Sequence, residues 1–456
     1  MTGNIHIPSA AACSYPPRAG NAVRPLVDGL PAFRRISQAI KTAQHSIWLT
    51  AAFVAPDFEM PDGDGTLFDV LDEAVERGLD VRIIFWRPNP ESIGYGRTFA
   101  GSPEDRSLLA ARGSRLRIRW DRGHGPYVQH QKSWLIDAGQ RSETAFVGGI
   151  NLTAIAMGSP GHAGDGERHD VYVEISGPSA TDVQHNFVQR WNEASERAEA
   201  DGTWGHDGND SLDFPARLSA PRGASIVQIQ RMVHPGRYGD AHPNPESLVH
   251  DIFGGERSIL EQYFGAIGAA RSSIYIENQA IPVPQIATAL EAALKRGVEV
   301  VVLVPAEPEH AVRAARLNAQ RTPLFDGLAA LGRHQNFGLA GIAGLDARGR
   351  RNPVYVHSKI MLVDDAFATI GSCNLHANSL SGHTEMNASI WDPQVVRALR
   401  CQLLAEHLDR DTAGIDDRAA LSLYREIAHE NQRRRDASDG QWQGLAFSLD
   451  PAAYGT

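Results

Sequence analysis

Lysine occurs only four times in the 456 residues, at positions 41, 132, 295 and 359, against forty arginines. Two of the four stand in identical frames, His130-Gln-Lys132 followed by Asp137 and His357-Ser-Lys359 followed by Asp364. In a chain that otherwise carries its positive charge on arginine, lysine at both places points to a need for a compact ammonium instead of a planar fork. Histidine titrates near neutral pH, so one imidazole can attack while a second, protonated, donates. Two copies of His-x-Lys-x4-Asp are therefore the first candidates for chemistry.

The elements around these frames repeat. Residues 39–49 align with residues 266–276 at an offset of 227, and His130 with His357 and Pro126 with Pro353 keep it. Gly148-Gly149-Ile150-Asn151 matches Gly371-Ser372-Cys373-Asn374 at an offset of 223, as a small insertion near residues 139–143 would produce. The chain is an internal duplication, with expected domains at 1–205 and 223–456 and a linker over the Gly-, Asp- and Pro-rich residues 198–222.

Each half is expected to begin helix, strand, helix, strand. Residues 46–54 and 273–278 read as strands; Leu67, Val70, Leu71, Ala74 and Val75 recur at helical spacing before Gly78, as Ile286, Leu290, Ala293 and Leu294 do before Gly297. Residues 79–86 and 298–304 are apolar enough to be strands covered on both faces. Alternation of this kind defines an α/β protein. The histidine frames fall at strand starts, where residues two apart share a face, so His130 projects with Lys132 and His357 with Lys359. Asp137 and Asp364 lie at strand ends and read as structural residues that fix a turn.

Composition narrows the function classes. With 42% hydrophobic and 21% charged residues the chain is cored, and no apolar run approaches the ~20 residues of a membrane span. The first thirty residues lack a basic start and an apolar stretch, which predicts a cytoplasmic protein or one exported without a signal peptide. Cys13, Cys373 and Cys401 suggest neither a disulfide framework nor a zinc site. A net charge of −10 argues against a nucleic-acid partner. His162, His169, His185, His206 and His234 form no short-spaced ligand cluster and read as surface or loop residues, so neither metal nor cofactor is expected. Arg433, Arg434 and Arg435, among acids, read as a solvated helix end.

The doubled His-x-Lys-x4-Asp motif, each copy followed by a Gly-Gly/Ser-x-Asn segment, resembles the phospholipase D superfamily over essentially the whole chain. Residues 274–279 (Ile-Tyr-Ile-Glu-Asn-Gln), 189–192 (Gln-Arg-Trp-Asn) and 399–408 resemble stretches of the phospholipase D enzymes proper. The resemblance implies two similar αβαβ domains, each a mixed sheet flanked by helices, related by a pseudo-twofold axis, whose motifs build one active site. It assigns His130 as the nucleophile forming a phosphohistidine and His357 as general acid, then base; the residues alone permit the reverse order. Lys132, Lys359, Asn151 and Asn374, with Gly149 and Ser372, would cradle the phosphate. Asp170 and Glu385 stand where the superfamily places acids that orient the histidines, with Glu174 the other candidate in the first half. Glu277, Asn278 and Gln279 end a strand facing the presumed cleft and are candidates for substrate contact.

The implied activity is that of a monomeric phospholipase D acting at a phospholipid membrane surface. It would cleave the distal phosphodiester bond to phosphatidic acid and a head-group alcohol, with capacity for transphosphatidylation. A cardiolipin-synthase-like transferase is the alternative, disfavoured by the missing N-terminal membrane segments. A nuclease of the same fold is disfavoured by the duplication and the negative charge, and a degenerate scaffold by the two intact motifs. Head-group specificity is expected in the loops 89–106, 158–168 and 306–351.

Overall fold

The computed structural model describes residues 6–96, 98–198 and 210–456, so His206 and much of the expected linker lie outside the described residues. In the first half, strands β1 (Arg18–Val27), β2 (Ser46–Ala51), β3 (Asp80–Trp86), β4 (Arg117–Asp121), β5 (Ser133–Ile136), β6 (Thr144–Gly148) and β8 (Val171–Ser176) form a mixed sheet, and β7 (Arg168–His169) stands apart from it. The spatial order is β4-β3-β2-β5-β6-β8-β1, parallel from β4 to β2 and antiparallel thereafter. The second half contributes β9 (Ser225–Val233), β10 (Glu256–Arg257), β11 (Ser273–Asn278), β12 (Glu299–Leu303), β13 (Phe337–Leu345), β14 (Arg351–Pro353), β15 (Tyr355–Val356), β16 (Lys359–Val363), β17 (Phe367–Gly371), β18 (Glu385–Trp391) and β19 (Ala446–Ser448). Its main sheet runs β13-β12-β11-β16-β17-β18-β9, the same order and the same directions.

Helices α1 (Gly29–Thr42) and α2 (Leu67–Glu76) share an apolar cluster with the first sheet; α3 (Pro103–Arg112) runs along its edge and α4 (Ala180–Asn192) covers the opposite face. In the second half α5 (Ser258–Ala269), α6 (Pro284–Lys295) and α8 (Thr322–Leu331) share an outer cluster, with α7 (His310–Arg316) beyond it, while α9 (Pro393–Leu408) and α10 (Asp417–Asp436) line the inner side. The sequence signal at the C-terminal end of α2 is realised, and the structure adds one at the other end. Thr66 and Asp69 cap it reciprocally, and Gly78 takes φ +89°, which a side chain would resist. All six residues of β2 and of β11 are buried, as strands between two helical layers must be. One continuous core joins the halves: Trp48, Leu135, Val173 and Phe187 meet Ile229, Tyr275, Ile360 and Leu404, each such side chain contributing about 1.5–3 kcal/mol by leaving water.

A strand precedes the first helix of each half, which the expected element order lacked. Residues 22–27 of β1 pair with β8, whereas Arg18 and Asn21, across a bulge, pair with Val227 and Ser225 of β9 and so join the two sheets. The pattern of β1 is hard to read because buried polar groups sit in it: Arg18 pairs with Asp182 at 2.9 Å, and the Asn21 amide donates to the Arg18 carbonyl. Residues 306–351 are not a loop, since α7, α8 and all of β13 lie within them. Their Gly and Pro residues cap helices and allow close packing; Pro323 occupies the first turn of α8. The N-terminal segment packs on the far half: His6 bonds Asp364, and the backbone N–H groups of Ala10 and Ser14 donate to Gln262 and Glu256.

Two bridges close the pseudo-twofold interface. Val356 of β15 pairs with His169 of β7, and Gln129 pairs with Thr384. The backbone N–H of His357 accordingly donates to the His169 carbonyl, and that of His130 to the Thr384 carbonyl, both at 2.8 Å.

Candidate active site

These bridges carry each histidine across to the other half's acid. His130 Nδ1 lies 2.8 Å from Glu385, and His357 Nδ1 lies 2.6 Å from Asp170, with all four side chains buried. A carboxylate at Nδ1 favours the tautomer protonated there, which leaves Nε2 as the nitrogen available to the cleft. Glu174 takes no part, because Arg35 holds it at 2.5 Å. His130 and Lys132 precede β5 instead of opening it, and Lys359 is the first residue of β16. Lys132 Nζ donates to the His130 carbonyl at 2.8 Å, and Lys359 Nζ to that of His357.

Burial dominates the electrostatics. It lowers Lys132 to about 7 and Lys359 to about 8, against the opposing pull of Glu385 and Asp170. It lifts Asp170 to about 6, against the two lysines, and raises Glu385. Both histidines are held below the ordinary imidazole value, by burial first and then by the ammonium charges; Arg168 adds to the effect at His357. Burial thus favours the neutral form of both imidazoles and weakens the ammonium form of both lysines, which a phosphate anion between them would restore.

Asn151 and Asn374 follow the ends of β6 and β17 at equivalent points, and each has a buried amide oxygen with no hydrogen-bond partner among the described residues. An amide oxygen only accepts, so it is the Nδ2 end of each amide, or the amide turned over, that would donate to a phosphate oxygen. Gly149 lies so close to Asp170 that a Cβ would come within 2.4 Å of Oδ1. Its counterpart Ser372 instead donates to Glu385 at 2.6 Å. Asp137, at φ 54°, accepts from the backbone N–H groups of Gln44, His45 and Ser46; Asp364, at φ 55°, accepts from those of Arg271, Ser272 and Ser273. Both pin the start of a central strand, and neither bonds His130 or His357.

Several contributors had no assigned role in the sequence reading. Ser379 donates to Glu385 at 2.6 Å, Phe53 sets its ring edge-on 5.8 Å from His130, and the Arg168 guanidinium stands 4.8 Å from the centre of the Tyr355 ring beside His357. Arg168 and Tyr355 each stand two residues before a site residue, so strand alternation was an available signal; nothing local marks Ser379 or Phe53. Of residues 277–279, only Gln279 reaches the site, at 3.4 Å from Lys359 Nζ. Glu277 turns inward to His169, Ser358 and Tyr275, and Asn278 accepts from the backbone of Ala280 and Leu375.

The histidines read as surface residues need correction. His162, His169 and His185 are buried, and His169 lies between Asp28 at 2.8 Å and Glu277 at 3.0 Å. Their partners come from distant segments, so spacing along the chain could not show them. His185 bonds Tyr15 and the His242 carbonyl, and half-buried His234 stacks on His124.

The family described as cardiolipin synthase, phospholipase D-like domain, matches residues 36–191 and 263–406, and the chain belongs to it. Cardiolipin synthase 1 of Staphylococcus epidermidis is 23% identical over 414 residues, covering 88% of this chain and 71% of that protein. Phospholipase D alpha 2 of Oryza sativa subsp. japonica is 24% identical, over 83% of this chain and 61% of its own length. The crystal structure of phosphatidylserine synthase from Haemophilus influenzae matches with a TM-score of 0.57 at 14% identity, covering 93% of this chain and 96% of that one. At that identity the likeness concerns the fold, which is the paired mixed sheet of the phospholipase D superfamily. Among the described residues no helix is long and apolar enough to cross a membrane.

Proposed function

We propose that the protein transfers a phosphatidyl group from a glycerophospholipid to an alcohol through a phosphohistidine, with water as the competing acceptor. The observation that carries this reading is the crossed pair of histidine–carboxylate contacts beside two buried ammonium groups. His130 Nε2 attacks phosphorus, and the bond from phosphorus to the head-group oxygen breaks. His357, protonated once the phosphate anion offsets the lysine charge, gives its proton to the departing alkoxide. The now neutral His357 takes a proton from the incoming hydroxyl as that oxygen attacks, and the N–P bond breaks to restore His130. Lys132, Lys359, Asn151 and Asn374 hold the non-bridging oxygens through both displacements.

Transfer is placed ahead of the hydrolysis expected from the sequence because the chain matches a cardiolipin synthase family across both halves. Cardiolipin carries two phosphatidyl groups on one glycerol, so the acceptor would be the glycerol head group of a second lipid at the same membrane surface. Incubation with phosphatidylglycerol vesicles should release glycerol and form cardiolipin, and phosphatidylcholine with ethanol should give phosphatidylethanol. Both products should form about 10²–10³-fold more slowly in Lys132→Ala. Phosphatidic acid alone from both mixtures would restore the hydrolase reading, and intact lipid with cleaved DNA would replace both by a nuclease.

A further inference from the structure

Behind His357, outside the phosphate-binding groups, four side chains from four segments converge. Asp28 lies between β1 and α1, His162 in the loop after β6, His169 in β7 and Glu406 in α9. Asp28 Oδ1 lies 2.8 Å from His169 Nδ1 and 3.4 Å from His162 Nε2; His162 Nε2 lies 3.3 Å from His169 Nδ1 and 3.6 Å from Glu406 Oε1. Four ligands at zinc–nitrogen and zinc–oxygen bond lengths sit about 3.3–3.4 Å apart at the corners of a tetrahedron. Of these separations three fall near that figure and the shortest needs to open by about 0.5 Å; Asp28, His162 and His169 form the compact triad, and Glu406 reaches it beside His162.

The surroundings fit a cation. Asp28 and His169 are fully buried and His162 nearly so, and His169 lies between the Asp28 and Glu277 carboxylates, so a divalent ion would take the place of the Nδ1 proton that now serves Asp28. Asp28 Oδ2, His162 Nδ1 and the neighbouring His407 Nε2 are buried without a hydrogen-bond partner among the described residues. His169 Nε2 faces Glu277 at 3.0 Å while Nδ1 faces the cluster, the carboxylate–histidine arrangement that fixes a metal-bound imidazole. Glu277 is itself held by the Ser358 and Tyr275 hydroxyls.

We propose that Asp28, His162, His169 and Glu406 bind one divalent metal ion of zinc type. Two imidazole nitrogens and two carboxylate oxygens suit zinc better than calcium or magnesium, which take oxygen ligands. Three ligands belong to the first half and Glu406 to the second, so the ion fastens the halves together. It has a positioning role: the His169 carbonyl receives the N–H groups of both His357 and Ser358, and the next residue, Asp170, holds the His357 ring. The other half has no counterpart, because Thr384 stands where His169 does.

The full chain, purified without chelator or affinity-tag histidines, should carry a single zinc ion by elemental analysis, and added zinc should raise the Tm of chelator-treated protein. His162→Gln should lose the ion. Zinc retained in His162→Gln, as binding at the surface pair His124 and His234 would give, overturns the proposal. If that variant fails to fold, cobalt added to the chelator-treated wild-type protein decides: the strong visible bands of tetrahedral nitrogen and oxygen ligation support the site, and a weak octahedral spectrum or none overturns it.

Discussion

His130 and His357 occupy equivalent places in the duplicated fold, yet the carboxylates behind them are anchored differently. Glu385 receives a hydroxyl on each oxygen, from Ser372 and Ser379, in addition to His130. Asp170 receives the Val171 backbone N–H and His357. Donors that satisfy a carboxylate stabilise its charge and reduce its demand for a proton. Glu385 is thus the weaker support for an imidazolium and Asp170 the stronger, although Arg168 acts against a charge on His357. Under the proposed mechanism the difference favours His130 as the neutral nucleophile and His357 as the acid, so a repeated motif would take two roles from the residues around it.

The largest effect expected from breaking this comparison is at the histidines. His130→Ala should abolish both turnover and covalent labelling by a phosphodiester with a good leaving group. His357→Ala should lower turnover on lipid by about 10²–10⁴-fold yet still become labelled, since such a leaving group needs no proton. Labelling that survives in His130→Ala and disappears in His357→Ala would invert the roles.

Next come the lysines and pH. With Lys132 lowered to about 7 and Lys359 to about 8, their charge is present below those values and lost as pH rises through them. On a soluble phosphodiester, kcat/KM should therefore fall between about pH 7 and 8. Lys132→Arg, charged throughout, should shift the fall upward while lowering the maximum, because a planar fork does not fit a site built for an ammonium. An unchanged profile in Lys132→Arg would remove Lys132 as the titrating group. Lys132→Ala and Lys359→Ala should each cost about 10²–10³ in kcat.

Exchanging the one residue that differs beneath the two acids sharpens the comparison further. Gly149→Ser should push Asp170 off the His357 ring and lower turnover by about tenfold or more, since its Cβ would meet the carboxylate. Ser372→Gly removes one donor but leaves Ser379 in place and should do less. Equal losses in the two variants would mean that the carboxylates are anchored alike.

The smallest effect on chemistry is expected at Asp137 and Asp364. Asn at either position should destabilise the fold by about 1–3 kcal/mol, because it weakens the acceptor for three backbone N–H groups. Denaturation should show the loss, while the pH profile of kcat/KM stays in place.

Much of this protein is determined by local sequence. The repeat, the two His-x-Lys frames and the segments carrying Asn151 and Asn374 can be read directly, and helical spacing ending at Gly78 locates α2 to within a residue or two. Strand β1 was hidden because the polar residues in it are satisfied by distant partners, and the apparent loop 306–351 because Gly and Pro can cap helices as well as break them. The sequence placed acids after each motif, but it did not show that each acid serves the other half's histidine. His130 and Glu385 are 255 residues apart and His357 and Asp170 are 187, separations at which no periodicity operates. Only the docking of the two halves across Gln129–Thr384 and Val356–His169 decides those contacts. The same docking gathers Asp28, His162, His169 and Glu406, because a buried polar residue must find its partner in space, and the chain order of its neighbours carries no record of where that partner lies.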